Sequence, residues 1–299
     1  MNLDDLQKTI EKVAGEVGPR LVGVGDRWAL GSGVIVGSGT ILTNAHNVRG
    51  DEVTVTFNDG TTAAASPKGV DVDADVAVLS VATNGAAPIE WSGDGPQMAI
   101  GAPVFALANP GGRGLRVTFG LISGTERSFR GPRGRRIGGS LEHTAPLLPG
   151  SSGGPVVDAS GRFLGLNTNR LGEGFYLAIP ADAALKQRVE ALSRGESAAR
   201  PRLGVGIAPP QVARRLRRAV GLPEADGLLI RVVEERSPAA EAGLEEGDLL
   251  TEAAGRPLAD ADQLYEALDA TGGNGSLQLK VLRGSEERSV AVSLSAQSA

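Results

Sequence analysis

The sequence predicts a mostly β protein with more than one domain, and three observations support this. Its 299 residues suffice for two or three domains with cores of their own. Its 43 glycines and 17 prolines favour short strands joined by turns over long helices. Short runs rich in β-branched residues recur between glycines, for example Thr40–Thr43 and Val53–Phe57.

The composition argues against several classes of protein. A formal net charge of −5 with scattered basic residues disfavours a nucleic-acid binder, and no apolar run is long enough to span a bilayer. The lack of cysteine excludes disulfides, thiol catalysis and cysteine-ligated zinc. Only two histidines occur, His46 and His143, and they are far apart. We therefore expect no metal, no cofactor and a fold held together by packing alone.

One loop, residues 147–155, has the composition of a nucleophile site. Ser152 lies among glycines, so its hydroxyl can be exposed on a tight turn while backbone N–H groups face a developing oxyanion. Such a serine needs a histidine base and a carboxylate that orients the histidine. No histidine follows Ser152, which excludes the order serine, acid, histidine of α/β-hydrolases. The subtilisin order would require an aspartate before His46 in an α/β chain (Asp4, Asp5 or Asp26), so the chymotrypsin order remains, with His46, an aspartate and Ser152.

Three motifs follow this order along the chain. They are Thr43-Asn44-Ala45-His46 after an apolar run, Asp75 directly before Val76-Ala77-Val78-Leu79, and residues 149–155 around Ser152. Together they resemble the HtrA/DegP family of trypsin-like serine proteases. The resemblance implies a chymotrypsin-like double β-barrel followed by one α+β PDZ domain, with catalytic roles for His46, Asp75 and Ser152.

The same resemblance implies a function in protein quality control and the stress response. A member of this family would be a serine endopeptidase that cleaves unfolded or misfolded proteins, with a PDZ domain that binds peptide C-termini. The alternative is a catalytically silent relative that binds peptides, or acts like a chaperone, through the PDZ groove.

The N-terminal segment, residues 1–16, is predicted to form an amphipathic helix because Leu3, Leu6, Ile10 and Val13 recur at helical spacing. It lacks the basic start and continuous apolar core of a signal peptide. A natural start at Met1 would thus predict a cytoplasmic protein, whereas a trimmed chain would leave a periplasmic or extracellular origin open. The resemblance implies a homo-oligomer, a trimer, but no aromatic residue precedes Trp28, and the family builds its trimer with such residues.

The protease domain is predicted at residues 17–195, with barrels at about 17–95 and 96–180 and a closing helix at 181–194. Strands are predicted at 21–24, 33–36, 40–43, 53–57 and 76–81, then at 103–107, 115–123, 155–157, 163–166 and 175–179. The arginine-rich segment 126–139 is too rich in glycine for a helix and is predicted to be a loop. By resemblance it is the loop that senses the regulatory module, and the alternative is a solvated loop.

The resemblance also assigns roles around the nucleophile. Asp75 is the expected acid, whereas Asp71 and Asp73 are expected on a solvated loop. The backbone N–H groups of Gly150, Ser151 and Ser152 are predicted to form the oxyanion hole. The specificity pocket is predicted to suit a small or medium apolar residue and to be lined by Leu166, Asn169, Arg170, Leu171 and Phe175. Arg170 would favour another residue if its side chain entered the pocket, and His143 is expected only to pack or hydrogen-bond.

Residues 196–201 are predicted to be a linker and residues 202–296 the PDZ domain. Ser237 and Pro238 begin a short helix with an N-cap and a first-turn proline, in a context that resembles the PDZ domain of this family. The resemblance implies that the loop of Leu203, Gly204 and Val205 receives a peptide C-terminus. It also implies a groove along the helix at 261–270, faced by Leu264 and Leu268, although these leucines can equally cover the domain's own core. The arginines nearby are predicted to form a solvated face (Arg214, Arg215, Arg217 and Arg218).

Overall fold

The computed structural model describes residues 3–25, 31–83, 85–91, 99–132, 134–170, 172, 174–196, 201–272 and 275–294. The chain divides into two compact units, Met1–Ala198 and Ala199–Ala299. This boundary lies within the predicted linker. Among the described helices, none combines the length and the apolar character that crossing a membrane requires.

The first unit begins with a helix, α1 (Leu3–Val17), which buries Val13 and Val17. A closed antiparallel barrel follows, formed by β1 (Leu21–Val24), β2 (Gly31–Gly37), β3 (Thr40–Thr43), β4 (Val53–Phe57), β5 (Thr62–Asp71) and β6 (Val76–Ser80). The strands close in the order β1-β2-β3-β6-β5-β4. Strand β5 has no counterpart among the predicted strands.

The second barrel is formed by β7 (Pro103–Ala108), β8 (Arg116–Arg130), β9 (Arg136–His143), β10 (Pro155–Val157), β11 (Phe163–Arg170) and β12 (Tyr176–Pro180). It closes in the order β10-β11-β12-β9-β8-β7. The prediction of a loop at 126–139 is wrong, because β8 continues to Arg130 and β9 starts at Arg136, so the segment is a hairpin with a short tip.

The two barrels and the closing helix α2 (Ala183–Ser193) share one core. Leu42 and Val78 of the first barrel join Phe105 and Leu166 of the second in this cluster, to which α2 adds Leu185, Val189 and Leu192. Helix α2 starts at an N-cap, Asp182, whose side chain accepts the Leu185 N–H. Burial of these apolar side chains fixes the two barrels against each other and so positions the loops between them.

The second unit is a small α+β domain. It consists of β13 (Val205–Ala208), α3 (Pro210–Ala219), β14 (Leu228–Val233), α4 (Pro238–Glu241), β15 (Leu249–Ala253), β16 (Arg256–Pro257), α5 (Ala261–Thr271), β17 (Ser276–Arg283) and β18 (Glu286–Ser293). Its sheet runs in the order β13-β14-β15-β17-β18, so β13 is an edge strand. The mostly β architecture with two barrels and an α+β domain confirms the predicted fold class.

The arginine cluster on α3 is not simply a solvated face. Arg217 is buried and donates hydrogen bonds to the carbonyl oxygens of Pro223 and Gly284. Arg214 pairs with Asp226. The prediction is therefore wrong for Arg217, whose buried guanidinium donates to backbone carbonyl oxygens within the domain.

Candidate active site

His46 and Asp75 meet between β3 and β6 of the first barrel. His46 lies in a short 3-10 turn that directly follows β3, and Asp75 directly precedes β6, which pairs with β3. The Nδ1 atom of His46 is 2.9 Å from both carboxylate oxygens of Asp75, and the His46 backbone N–H donates to Asp75 Oδ1 at 3.2 Å. The carboxylate is buried while the imidazole is partly exposed. Asp75 can therefore fix the ring so that Nε2 faces away from it as a proton acceptor.

Two residues to which the sequence analysis gave no role, Thr168 and Asn44, hold Asp75 in place, one through its carboxylate and one through its backbone. The Thr168 hydroxyl, from β11, donates to Asp75 Oδ2 at 2.6 Å, and the Asn44 side-chain amide donates to the Asp75 carbonyl oxygen at 3.0 Å. Both side chains are buried. Thr168 was not predicted, because its role depends on a contact between residues 93 positions apart. The backbone of Asp75 has a φ of 56°, in the left-handed region that non-glycine residues rarely adopt.

Asp71 and Asp73, the other two aspartates before β6, are buried and paired. Asp71 is buried and its Oδ2 pairs with Arg188 of helix α2. Asp73 Oδ2 is 3.2 Å from Nε of Arg135, the residue before β9, and the two side chains are only 10% and 5% exposed. The expectation that both aspartates lie on a solvated loop is therefore wrong.

Ser152 lies on the loop between β9 and β10, and its hydroxyl donates to the Thr168 carbonyl oxygen at 3.1 Å. Among the described residues, no hydrogen bond joins this hydroxyl to His46. Catalytic hydrogen bonds are often not yet formed in a free enzyme. Thr168 thus contacts both the acid and the nucleophile, which places the three predicted triad residues in one local network.

The turn before Ser152 has the features of type II. The Ser151 N–H donates to the Leu148 carbonyl oxygen at 3.1 Å, Pro149 is at the second position and Gly150 has a φ of 87°. The Ser151 N–H is therefore used within the turn, and the prediction that it contributes to the oxyanion hole is not supported. The N–H groups of Gly150 and Ser152 have no acceptor among the described residues, so these two remain as candidate donors.

Residues of the first barrel unit hold the nucleophile loop through hydrogen bonds. Ser32 donates through Oγ to the Gly150 carbonyl oxygen at 2.9 Å, and its N–H donates to the Ser152 carbonyl oxygen at 2.8 Å. Asn47 donates to the same Ser152 oxygen at 3.0 Å. Because the carbonyl oxygens of Gly150 and Ser152 accept these hydrogen bonds, the orientation of both peptide groups is restrained. No local sequence pattern pointed to Ser32 or Asn47.

The glycines after Ser152 are required by close backbone approach. A Cβ on Gly153, whose φ is 87°, would lie 2.0 Å from the Ser32 carbonyl oxygen. A Cβ on Gly154 would lie 2.1 Å from the Leu107 carbonyl oxygen. Any larger residue would push the loop away from the barrels.

The structure brings together only some of the residues predicted to line the specificity pocket. Leu166 is fully buried in the shared core, so it has no surface to offer a substrate and its predicted role is wrong. Arg170 is exposed: its Nε donates to the Gly172 carbonyl oxygen at 2.7 Å and its guanidinium lies 5.9 Å from the centre of the Tyr176 ring. Phe175 and Asn169 are exposed beside it, and Leu171 lies outside the described residues. Arg170 is thus held on the surface by contacts with its own hairpin.

His143 is buried behind the nucleophile loop, as expected for a histidine that packs and hydrogen-bonds. Its Nε2 is 2.9 Å from Asn167 Oδ1, and its ring stacks on Tyr176 with centroids 5.8 Å apart. Burial lowers the pKa of His143 to about 4, although the hydrogen bond to Asn167 opposes this. The imidazole therefore stays neutral in the folded protein at mildly acidic pH.

We expect this histidine to make the fold sensitive to acid. An unfolded histidine has a pKa near 6.5, so the unfolded state binds the extra proton first as the pH falls. The contribution of His143 to the free energy of unfolding is then fully present above pH 6.5. About 3 kcal/mol of the free energy of unfolding is lost as the pH falls to about 4. Denaturant unfolding followed at several pH values should show that His143→Gln, which keeps a donor for Asn167 but does not titrate, loses less stability over this window. Equal losses in both proteins would contradict the assignment.

The predicted peptide loop of the second unit precedes its edge strand. Ala239 and Glu234 donate their N–H groups to the carbonyl oxygens of Leu203 and Gly204 at 2.9 Å each. The N–H groups of Leu203 and Gly204 have no acceptor in the described part of the chain. Gly204 has a φ of 76°, and a Cβ there would lie 2.3 Å from Ser237 Cβ. The loop therefore presents free donors next to a strand that lacks a neighbour on one side.

Leu264 and Leu268 do not face an open groove. Both are buried in the core of the second unit, together with Leu203 and the sheet. Val205 packs against the same core but keeps some exposure. Of the two alternatives for the leucines, the structure shows the packing one.

No group of three or more histidine, cysteine, aspartate or glutamate side chains among the described residues is arranged to hold a metal ion.

Comparison with protein families gives two matches. Residues 31–166 match the trypsin-like peptidase domain, and residues 229–283 match the PDZ domain. Both matches fall on the units described above, the first on the two barrels and the second on the α+β domain.

Curated relatives match most of the chain. HhoA of Synechocystis sp., named as a serine protease, is 35% identical and covers 88% of this chain and 69% of its own. A DegP-like periplasmic serine endoprotease of Halomonas elongata is 35% identical over 90% of this chain and 57% of its own. The chloroplastic Protease Do-like 1 of Arabidopsis thaliana is 33% identical over 86% of this chain and 61% of its own. The chain thus spans a little over half to about two thirds of the length of these relatives.

Solved structures show the same fold. The serine endoprotease from Yersinia pestis is 26% identical, with a TM-score of 0.64 over 96% of this chain and 97% of its own. The HtrA-type protease AlgW, solved with a decapeptide, has a TM-score of 0.65 at 24% identity, over 97% of this chain and 99% of its own.

Proposed function

Because this chain belongs to the HtrA/DegP family of trypsin-like serine proteases with one PDZ domain, we propose that it hydrolyses unfolded or misfolded proteins through Ser152, His46 and Asp75. The observation that carries the proposal is the buried Asp75 carboxylate 2.9 Å from His46 Nδ1, joined through Thr168 to the Ser152 hydroxyl. A peptide-binding relative without activity would not need this network.

Each catalytic step can be assigned to an atom of the site. Ser152 Oγ attacks the peptide carbonyl carbon while its proton passes to His46 Nε2, and Asp75 stabilises the imidazolium through Nδ1. The N–H groups of Gly150 and Ser152 donate to the oxyanion of the tetrahedral intermediate. His46 then gives the proton to the leaving amine, and an acyl group remains on Ser152. Water then attacks the acyl carbonyl while His46 takes its proton; the bond to Ser152 Oγ breaks, His46 returns the proton to this oxygen, and the second product leaves.

The second unit supplies the proposed binding function. A peptide would add as a strand along the free edge of β13, and its terminal carboxylate would accept from the N–H groups of Leu203 and Gly204. The exposed part of Val205 would contact the apolar side chain of the last residue. This module binds peptide C-termini in addition to the chain that the protease unit cleaves.

Assembly and location are proposals by relationship. A homo-oligomer, a trimer, is the assembly that the family resemblance suggests, against the lack of aromatic residues before Trp28. Two of the relatives are named periplasmic or chloroplastic. We accordingly propose an exported protein if the natural chain carries a leader before Met1, and a cytoplasmic protein otherwise.

The test is casein cleavage and active-site labelling of the full chain. We expect fluorescein-labelled casein to be degraded, a fluorophosphonate probe to block this and the probe to be found on Ser152, with Ser152→Ala neither labelled nor active. A peptide with a free apolar C-terminus should bind, as measured by fluorescence polarisation, while the same peptide with an amidated C-terminus should not. If casein stays intact and the fluorophosphonate probe does not label the protein, while the peptide still binds, the result would instead support the catalytically silent alternative.

A further inference from the structure

The interior of the second barrel is filled in layers along its axis. One buried apolar residue from each of the six strands forms the first layer (Val104, Ile122, Leu141, Val156, Leu164 and Ala178). Side chains alternate along a strand, so the residue two positions further along faces the same interior and belongs to the next layer. Two positions from Leu141 and Ala178 lie His143 and Tyr176, which pair with each other across β9 and β12. Because the nucleophile loop follows β9 directly after His143, this second layer lies at the end of the barrel next to that loop.

Tyr176 fills the centre of this second layer. Its side chain is buried, and its strand has β9 on one side and β11 on the other. Towards β9 the ring stacks on His143 with centroids 5.8 Å apart, and towards β11 it pairs with Arg170, whose guanidinium lies 5.9 Å from the ring centre. Asn167, which pairs with Ala178 and so faces the same interior, lies 2.9 Å from His143 through Oδ1. The end of the barrel interior is therefore occupied by an aromatic ring that is held on both sides.

The nucleophile loop and the last residues of β11 border this end of the barrel. The Gly153 N–H donates to the Asn167 carbonyl oxygen at 2.8 Å, and the Ser152 hydroxyl donates to the Thr168 carbonyl oxygen at 3.1 Å. When Ser152 Oγ attacks a carbonyl group whose oxygen accepts from Gly150 and Ser152, the substrate residue lies between these two segments. Its side chain then points into the end of the barrel interior, where the pocket beside the nucleophile selects the residue before the scissile bond.

We propose that Tyr176 is a specificity-determining residue: its ring occupies the pocket next to Ser152 and restricts the substrate residue before the scissile bond to glycine or alanine. The proposal deepens the proposed function and rests on it. A larger side chain has to displace a ring that is packed on both sides, and close-packed interiors resist such a change. Arg170 is exposed and covers the ring at its open side, so it restrains Tyr176 and does not itself fill the pocket. The small or medium apolar residue that the resemblance implies is thereby narrowed to the smallest side chains.

The experiment uses the full chain and fluorogenic peptides that are identical except for the residue before the scissile bond. We expect the wild-type protein to cleave the glycine and alanine peptides, with kcat/KM for the valine, leucine and glutamate peptides about 100-fold lower or less. Tyr176→Ala should raise kcat/KM for the valine and leucine peptides about tenfold or more, because the pocket gains the volume of the ring. Tyr176→Phe, which keeps the ring and removes the hydroxyl, should retain the wild-type profile.

Phe57→Ala is the matched control for the loss of a buried aromatic side chain. Phe57 is 8% exposed in the core of the first barrel, against 7% for Tyr176, and its removal should leave the ratio of valine to alanine cleavage unchanged. Wild-type cleavage of the valine, leucine or glutamate peptide at the alanine rate would overturn the proposal, and this result does not depend on whether Tyr176→Ala folds. A Tyr176→Ala protein that is folded by circular dichroism but keeps the wild-type profile would also overturn it. Casein cleavage and fluorophosphonate labelling at Ser152 test the proposed function separately, so the two failures can be distinguished.

Discussion

Replacing Asp75 by asparagine is expected to lower kcat/KM on casein about 10⁴-fold. The Asp75 carboxylate accepts from three donors at once: the His46 N–H, the His46 ring at Nδ1 and the Thr168 hydroxyl. An asparagine offers one oxygen and one NH2 group, so the NH2 group must face a donor or turn the imidazole to its other tautomer. In that tautomer Nε2 carries the proton and cannot accept one from Ser152. Asparagine also tolerates the left-handed backbone at this position, so the fold should be kept.

The measurement is the initial rate of casein cleavage, with circular dichroism as a check on folding. Asp59→Asn makes the same chemical change at an exposed turn, where Asp59 accepts from Thr61, and it should leave the rate unchanged. A loss of less than tenfold for Asp75→Asn would mean that Asp75 does not orient His46 in the reaction.

The triad could be predicted from the sequence because each of its members lies in a short local motif. His46 follows a strand, Asp75 precedes one, and Ser152 is surrounded by glycines that the backbone contacts require. The order of the two histidines relative to Ser152 then left one arrangement. Local sequence carries this information because the chemistry restricts both the residue types and the turn on which they lie.

The supporting network could not be predicted in the same way. Thr168, Ser32 and Asn47 contact the site residues through pairs that are distant in sequence, and threonine, serine and asparagine are common on any surface. Their roles depend on where the fold places them, and neither the periodicity nor the composition of the sequence predicts this position. Leu166 shows the reverse error: the resemblance assigned it to the pocket, but its side chain is buried in the core that the two barrels share.

The two barrel strands that the sequence analysis missed, β5 and β9, have a shared cause. Strand β5 is rich in alanine with one proline, and β9 contains arginine and two adjacent glycines. Such residues have low β propensity, and the strands form because both neighbours in a closed barrel pair with them. The hairpin that carries Arg135 was therefore predicted as a loop. Its contact with Asp73, in the segment before Asp75, could not be predicted.

Replacing Gly150 by alanine is expected to lower kcat about 10²- to 10³-fold, the usual cost of one oxyanion donor. Gly150 has a φ of 87° at the third position of the turn, where a type II turn requires a left-handed residue. Alanine favours the type I form, in which the peptide between Pro149 and Gly150 is rotated by about 180°. The N–H of residue 150 would then leave the oxyanion position, while Ser152 and His46 would keep their places. Substrate binding depends little on this group, so KM should change much less than kcat.

Gly60→Ala is the matched control for backbone strain. Gly60 has a φ of 86° on the exposed turn between β4 and β5, with nothing within 4 Å of an added Cβ. Alanine at either position must adopt the left-handed conformation or rearrange its turn, at a cost of up to about 1 to 2 kcal/mol, so thermal melting should show a loss of stability of this size or smaller in both variants. Only Gly150→Ala should lose activity on casein, because only there does the strained peptide carry a catalytic N–H. If the two variants lost activity equally, strain alone would explain the effect and Gly150 would not donate to the oxyanion.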